Sequence, residues 1–247
     1  MTTREQKVTR IAIENPAAIR VFERLGIDYC CGANRTLGDA CMEAKVSVES
    51  AMRLLAEAGQ TSAPPIGSIW NDAPLHALTA HIVAQHHLFI RQEIPRIEAL
   101  FDKVLNRHGE SYYDVQRVED LFLAMARELG IHMSQEEQML FPYIDEAEAT
   151  LAAGEPLPPA FFGSVADLTS KMMRDHDDAG ALLARIRKLT GNFIAPAGSC
   201  PTFRGLYHAL AEFERDLRRH LHLENNVLFP RAVRMEAAAL EASLAAR

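Results

Sequence analysis

"HMSQEEQMLFPYI" at residues 132–144 and "HLHLENNVLFPRA" at residues 220–232 carry one pattern twice: a histidine, a glutamate four positions on, and Leu-Phe-Pro at a common offset. His132 is thereby matched with Glu136, and His220 with Glu224. Upstream of each copy stands another histidine, His87 lying 45 residues before His132 and His176 lying 44 before His220. A histidine-bearing segment followed by an H-x3-E segment, repeated, predicts two helical hairpins related by a pseudo-twofold axis. Around these motifs the chain is rich in Ala, Leu, Glu and Arg and poor in β-branched alternation, which predicts an all-α protein. Long helical patterns cover about 74–106, 114–148, 162–190 and 202–229, with a short tail helix to about 244. The breaks "NRHGESYYD", "AAGEPLPP" and "GNFIAPAGSCP" are short, so neighbouring helices should be antiparallel in an up-down-up-down four-helix bundle.

The apolar stripes of these helices run through polar residues without slipping. The second helix reads Val118, Phe122, Met125, Leu129, His132, Glu136, Leu140, and the fourth reads Leu206, Leu210, Phe213, Leu217, His220, Glu224, Leu228. The third reads Val165, Leu168, Met172, His176, Leu183, Ile186. Three histidines and two glutamates therefore point into the core, where an unpaired charge is very costly. In the first helix the stripe Leu75, Ile82, Phe89, Ile97, Val104 centres on His86, whereas the repeat spacing favours His87, and Pro95 disturbs any wheel count. The residues alone leave that choice open.

Within each H-x3-E, one helical turn sets the two side chains about 40° apart in azimuth and ~6 Å apart along the axis, so both reach one point. Imidazole nitrogen together with carboxylate oxygen suits iron better than an all-oxygen or thiolate site, although ligand type does not exclude zinc or manganese. Two glutamates among four histidines suggest two metals, each carboxylate bridging. An added oxo or hydroxo bridge leaves each iron an open position for small-molecule chemistry. A metal-free His–Glu network is the rival reading, and it would have to repay the desolvation of both carboxylates. His76, His81, His108, His208 and His222 fall outside the pattern and are expected at the surface or in hydrogen bonds. Glu137 is expected to face away from Glu136, with a supporting contact to a ligand as its functional alternative. Pro142 and Pro230 follow the motifs and read as helix kinks or ends.

The 247 residues hold 48% hydrophobic and 24% charged side chains, enough for a sizeable core. A net charge of −7 and a pI near 5.8 argue against nucleic acid or an anionic membrane as the main partner. No apolar run approaches the roughly 20 residues that cross a bilayer, and the charged start lacks a secretory h-region, so a cytoplasmic location is expected. Residues 1–60 read as a small helical domain with segments near 16–25, 37–45 and 47–58, Ser47 capping the last and Gly59 stopping it. Residues 61–73 read as a Gly/Ser/Pro linker and 74–247 as the bundle domain. The first domain carries "GIDYCCGANRTL" at 26–37, with Cys30 and Cys31 adjacent. No matching CxxC or nearby histidine accompanies them, which argues against a stable metal site there. Packing or structure is one reading of the pair; the other is a redox, iron or nitric oxide relay.

Four stretches, "DYCCG" at 28–32, "HMSQEEQMLFP" at 132–142, "DHDDAG" at 175–180 and "HLENNVLFPRA" at 222–232, span nearly the whole chain. With them the bundle resembles the hemerythrin-like domain, and the chain resembles the repair-of-iron-centres family of bacterial YtfE- and ScdA-type di-iron proteins. The resemblance implies His87, His132, His176 and His220 as terminal iron ligands and Glu136 and Glu224 as bridging carboxylates. Hemerythrins that carry oxygen use an H-x3-H in place of one H-x3-E, so oxygen carriage is the weaker reading. What the family implies is stress-related repair of iron–sulfur clusters damaged by nitric oxide or oxidants, with damaged iron–sulfur proteins as partners. Iron donation, nitric oxide reduction, and nitric oxide or oxygen sensing are the competing modes. The residues do not decide whether the protein is an enzyme, and a non-classical iron donor is favoured. No flavin or nicotinamide fingerprint is present, so turnover would need an external electron donor. An apolar face on the N-terminal domain would suit a homodimer.

Overall fold

The computed structural model describes residues 2–30, 35–58, 68–108 and 113–245. Among them the architecture is all-α: a small helical N-terminal region followed by an antiparallel four-helix bundle. The N-terminal helices are α1 (Val8–Glu14), α2 (Ala17–Leu25), α3 (Leu37–Glu43) and α4 (Val48–Ala58). Four long helices follow: α5 (75–108), α6 (113–152), α7 (Val165–Leu189) and α8 (201–245). The sequence pattern missed α1, and the expected separate tail helix is instead the continuation of α8. No helix among the described residues is long and apolar enough to cross a membrane. The pattern's proposed Gly59 stop and most of its 61–73 linker lie outside the described residues.

Two compact units are distinguished by their internal contacts: residues 1–79, 147–157 and 218–247 form one, and residues 80–146 and 158–217 the other. In the second, paired residues run in opposite senses along neighbouring helices. His87 meets Glu137 while Phe101 meets Phe122, and His132 meets His176 while Gln135 meets Lys171. Its core is aromatic and aliphatic, with Phe122 between Phe101 and Phe213 at ring-centroid distances of 5.8 and 5.3 Å. Ser164 caps α7 by accepting the Asp167 N–H at 3.1 Å, while its own hydroxyl donates to the Asp167 carboxylate at 2.7 Å.

Local chemistry sets the helix limits of the first unit. Thr36 caps α3 by accepting the Asp39 N–H at 3.2 Å, and Ser47 accepts the Ser50 N–H at 3.3 Å, as the sequence suggested for α4. Gly26 ends α2 at φ 69°, a left-handed conformation that glycine adopts without penalty. Phe22, Tyr29 and Leu37 fill the core of this region with no exposed surface. Arg231 donates to the carbonyls of Trp70 and Ala73 at 2.7 and 2.6 Å. Glu148 accepts the first two N–H groups of α5, from Leu75 at 2.6 Å and His76 at 3.0 Å, and pairs with the His76 ring at 2.7 Å.

The Glu148 carboxylate thus serves as a cap delivered from another helix. Burial opposes its charge, but the His76 and Leu75 N–H groups and the His76 ring outweigh burial and lower its pKa. A depressed folded-state pKa gives stability that is present above the unfolded value and is lost as pH falls through the folded one. Glu148→Ala should therefore cost about 1 kcal/mol at neutral pH. Denaturant unfolding of both proteins should show that difference shrinking as the pH falls below the ordinary glutamate range.

Candidate metal centre

Each H-x3-E motif lies where α-helical winding gives way to a π-helical turn. Glu136–Leu140 and Glu224–Leu228 are such turns within α6 and α8, and Ile82–His87 is a third within α5. Pro142 and Pro230 follow two of them without ending the helix, which continues to Ala152 and Ala245. A proline lacks the N–H that would bond four residues back, and the wider π register lies directly upstream of each.

The π turn in α5 explains why the wheel count centred on His86. It adds one residue to the winding between Ile82 and the next buried position, which falls at Ile90 rather than Phe89, while Ile97 and Val104 are buried as expected. Phe89, expected on the stripe, is only half-buried, and Ile90 takes its place with no exposed surface. Both histidines are buried and they diverge. His86 turns its Nδ1 to the Asp216 carboxylate at 3.0 Å, while His87 turns towards Glu136, Nε2 to Oε2 at 3.4 Å.

The other motif residues are equally enclosed: Glu136, His220 and Glu224 have no exposed surface, His176 has 1% and His132 4%. His132 Nε2 lies 3.1 Å from Glu136 Oε1 and 2.8 Å from His176 Nε2. His220 Nε2 lies 2.8 Å from Glu224 Oε1. Two sets of four buried donors, with all ligand atoms of a set within 4.8 Å of one another, could each hold a metal ion. One is His87, Glu136, His220 and Glu224; the other is His132, Glu136, His176 and Glu224. The donor chemistry fits a cation. Burying two carboxylates is expensive, and one proton shared between imidazoles satisfies the His132–His176 contact only once. A cation would meet nitrogen and oxygen donors together.

Behind the imidazoles stand carboxylates that the stripes did not reveal. Glu137 meets His87 Nδ1 at 2.6 Å and is itself paired with Arg91 at 2.8 Å, and Asp175 faces His132 Nδ1 at 3.5 Å. Such partners fix the ring and raise its basicity as a ligand. The sequence allowed Glu137 a supporting role and singled out the DHDDAG stretch that Asp175 opens without giving Asp175 a role; Asp216 and Arg91 gave no signal.

The histidines outside the pattern divide as follows. His76 pairs with Glu148, and His208 lies exposed 3.4 Å from Glu212. His81 packs edge-on against His86 at 5.8 Å, and burial first, then His86, lowers its pKa. His222 is buried, not exposed: burial pushes its pKa down to about 4, it pairs with Asn226 at 3.0 Å, and its ring meets Tyr29 at 5.5 Å. The His108 side chain and Cys31 lie outside the described residues. Cys30 is buried, its thiol donating to Asp28 Oδ1 at 3.2 Å and its carbonyl accepting the Asn225 amide at 3.1 Å. The same strand of chain is held by Arg218–Asp28 at 3.2 Å and Arg219–Glu23 at 2.7 Å. Cys41 is buried too, whereas Cys200 is partly exposed at the start of α8, where the Phe203 N–H lowers its pKa.

Comparison with known proteins adds to this geometry. Residues 78–232 match the hemerythrin HHE cation-binding domain, and residues 4–59 match the ScdA N-terminal domain of unknown function. The chain is 34% identical over 233 residues to the iron–sulfur cluster repair protein YtfE of Citrobacter koseri, covering 94% of this chain and 99% of that protein. It is 33% identical over 237 residues to the protein of that name from Pectobacterium carotovorum, covering 96% and 100%. The one from Yersinia pseudotuberculosis is 34% identical over 236 residues, covering 96% and 100%.

Thiol accessibility gives a direct check on the cysteines. Brief alkylation of the native protein, read by peptide mass mapping, should modify Cys200 and spare Cys30 and Cys41 until the chain is unfolded.

Proposed function

Since this chain belongs to the hemerythrin HHE family and to the family of YtfE iron–sulfur cluster repair proteins, we propose that it restores damaged iron–sulfur clusters through a di-iron centre. The observation that carries this reading is the pair of buried four-donor sets that share Glu136 and Glu224. On this reading His87 and His220 would hold one iron, His132 and His176 the other, and Glu136 and Glu224 would serve both. A mixed nitrogen and carboxylate set suits iron, and four protein donors per ion leave coordination positions for a small molecule such as nitric oxide.

The chain's own residues orient and enclose. Glu137 holds the His87 ring through Nδ1 so that Nε2 faces Glu136, and the burial of all six donors excludes bulk water. When bound, the iron pair supplies both a ligand-binding Lewis acid and a store of transferable Fe2+. Work of this kind belongs to the cytoplasm, with damaged iron–sulfur proteins as targets. Nitric oxide handling at the same centre would draw electrons from an external donor.

Purified, anaerobically loaded protein should hold two irons per chain and give the Mössbauer signature of a coupled pair; one iron or none would overturn the di-iron reading. Glu136→Leu, which removes a ligand common to both sets, should cut iron content to less than half while the helical circular dichroism persists. Incubation of 57Fe-loaded protein with a nitrosylated [4Fe–4S] protein should restore the cluster and carry 57Fe into it. Catalytic accumulation of nitrous oxide without cluster recovery would overturn repair in favour of nitric oxide reduction.

A further inference from the structure

We propose that the N-terminal region is a clamp on the segment of α8 that carries His220 and Glu224, so that its docking and the occupancy of the metal centre support one another. This rests on the metal reading above and gives a task to residues 4–59, which match a domain of unknown function.

The contacts bracket the two proposed ligands. Immediately before His220, Arg218 pairs with Asp28 at 3.2 Å, and Arg219 grips Glu23 twice, Nε to Oε1 at 2.7 Å and Nη2 to Oε2 at 2.8 Å. Between the ligands, the His222 ring packs edge-on against Tyr29, with centroids 5.5 Å apart. Immediately after Glu224, the Asn225 side chain donates to the Cys30 carbonyl at 3.1 Å. Residues 1–79 and 218–247 belong to one compact unit, so these contacts lie within a single packed body. Successive residues turn by about 100° around a helix, which puts positions 218 and 222 on the side opposite 220 and 224. The N-terminal region thus holds the outer face of the segment whose inner face carries the ligands.

The grips fall where the helix is least regular. Glu224–Leu228 is a π turn, a winding that helices adopt only locally, and Asn225 anchors it from within. Asn226, the next residue, is tied to His222 at 3.0 Å, which links the turn back to the ring that Tyr29 covers. The ion pairs are of the stronger kind. Arg219 and Glu23 meet as a fork, and Glu23 also accepts the Tyr29 hydroxyl at 3.1 Å. Arg218 and Asp28 are 13% and 23% exposed, so solvent screens their pairing little. A cation and the N-terminal region therefore need the same ordered segment. Whatever one contributes to its order the other need not, and the benefit is equal in both directions.

Amide hydrogen exchange of the full chain, read on peptides covering residues 17–30, follows one direction of the coupling. Loading with Fe2+ under nitrogen should slow that exchange by about tenfold relative to the metal-free chain. Iron release follows the other. Glu23→Arg, which sets two cations against each other at Arg219, should speed Fe2+ release to excess ferrozine by about tenfold. Adding Arg219→Glu should restore the pair with its charges exchanged and return the rate to within about twofold of wild type. Equal exchange over residues 17–30 with and without iron would overturn the inference, as would release at the wild-type rate from the Glu23→Arg protein. Should Glu23→Arg fail to fold, the exchange comparison on the wild-type chain decides. Failure of the wild-type chain to take up iron would instead overturn the metal reading itself.

Discussion

Two glutamate side chains with no exposed surface impose the constraint from which the rest of this architecture follows. A buried carboxylate costs several kcal/mol unless cations or hydrogen-bond donors surround it. Glu136 and Glu224 are met by imidazoles, and those of His87, His132 and His220 lie within 3.4 Å of one of them. The imidazoles need their own support, which Glu137 and Asp175 supply from further out. Each layer of polar groups thus creates the demand for the next. The demand ends only where a carboxylate reaches Arg91 or solvent.

The repeat also determines what could be read without a structure. Stripes of α6, α7 and α8 keep their period through His132, Glu136, His176, His220 and Glu224, so the polar interruptions announce themselves against an unbroken apolar background. Nearly every residue assigned to those stripes is buried; Leu168 is half-buried, and Thr169 takes the enclosed place beside it. The stripe of α5 slipped at Phe89 for a definite reason. A π turn adds one residue to the winding, and no propensity or hydropathy scale registers an insertion made by the backbone. Spacing between repeats is counted along the chain and is blind to how the helix is wound, and the histidine it favours, His87, is the one that faces Glu136.

Supporting residues were hidden for a different reason. Arg91, Asp175 and Asp216 are polar residues on polar faces, indistinguishable in sequence from solvated surface. Their partners come from other helices: Asp216 for His86, Asp175 for His132 and Arg91 for Glu137. Hydrophobic periodicity reports which face of a helix is buried and carries no information on which polar neighbours of that face touch. His222 shows the converse limit. It lies off the α8 stripe yet is buried, because Tyr29 of the N-terminal region covers it.

The paired cysteines illustrate how a conspicuous motif can be held by something other than its conspicuous atoms. The Cys30 segment is secured by its backbone and by its neighbours: the carbonyl accepts Asn225, Asp28 pairs with Arg218, and the preceding turn is tied through Glu23 to Arg219. None of these contacts needs sulfur. Asn225 directly follows Glu224, so the anchor of the segment is the π turn that carries a proposed bridging ligand. The thiol itself donates to Asp28, two residues away. A fold that wanted only packing there could use any small apolar side chain in place of Cys30. The backbone contact and the two ion pairs thus hold the segment beside the buried thiol, and each of them would remain in a Cys30→Ala chain.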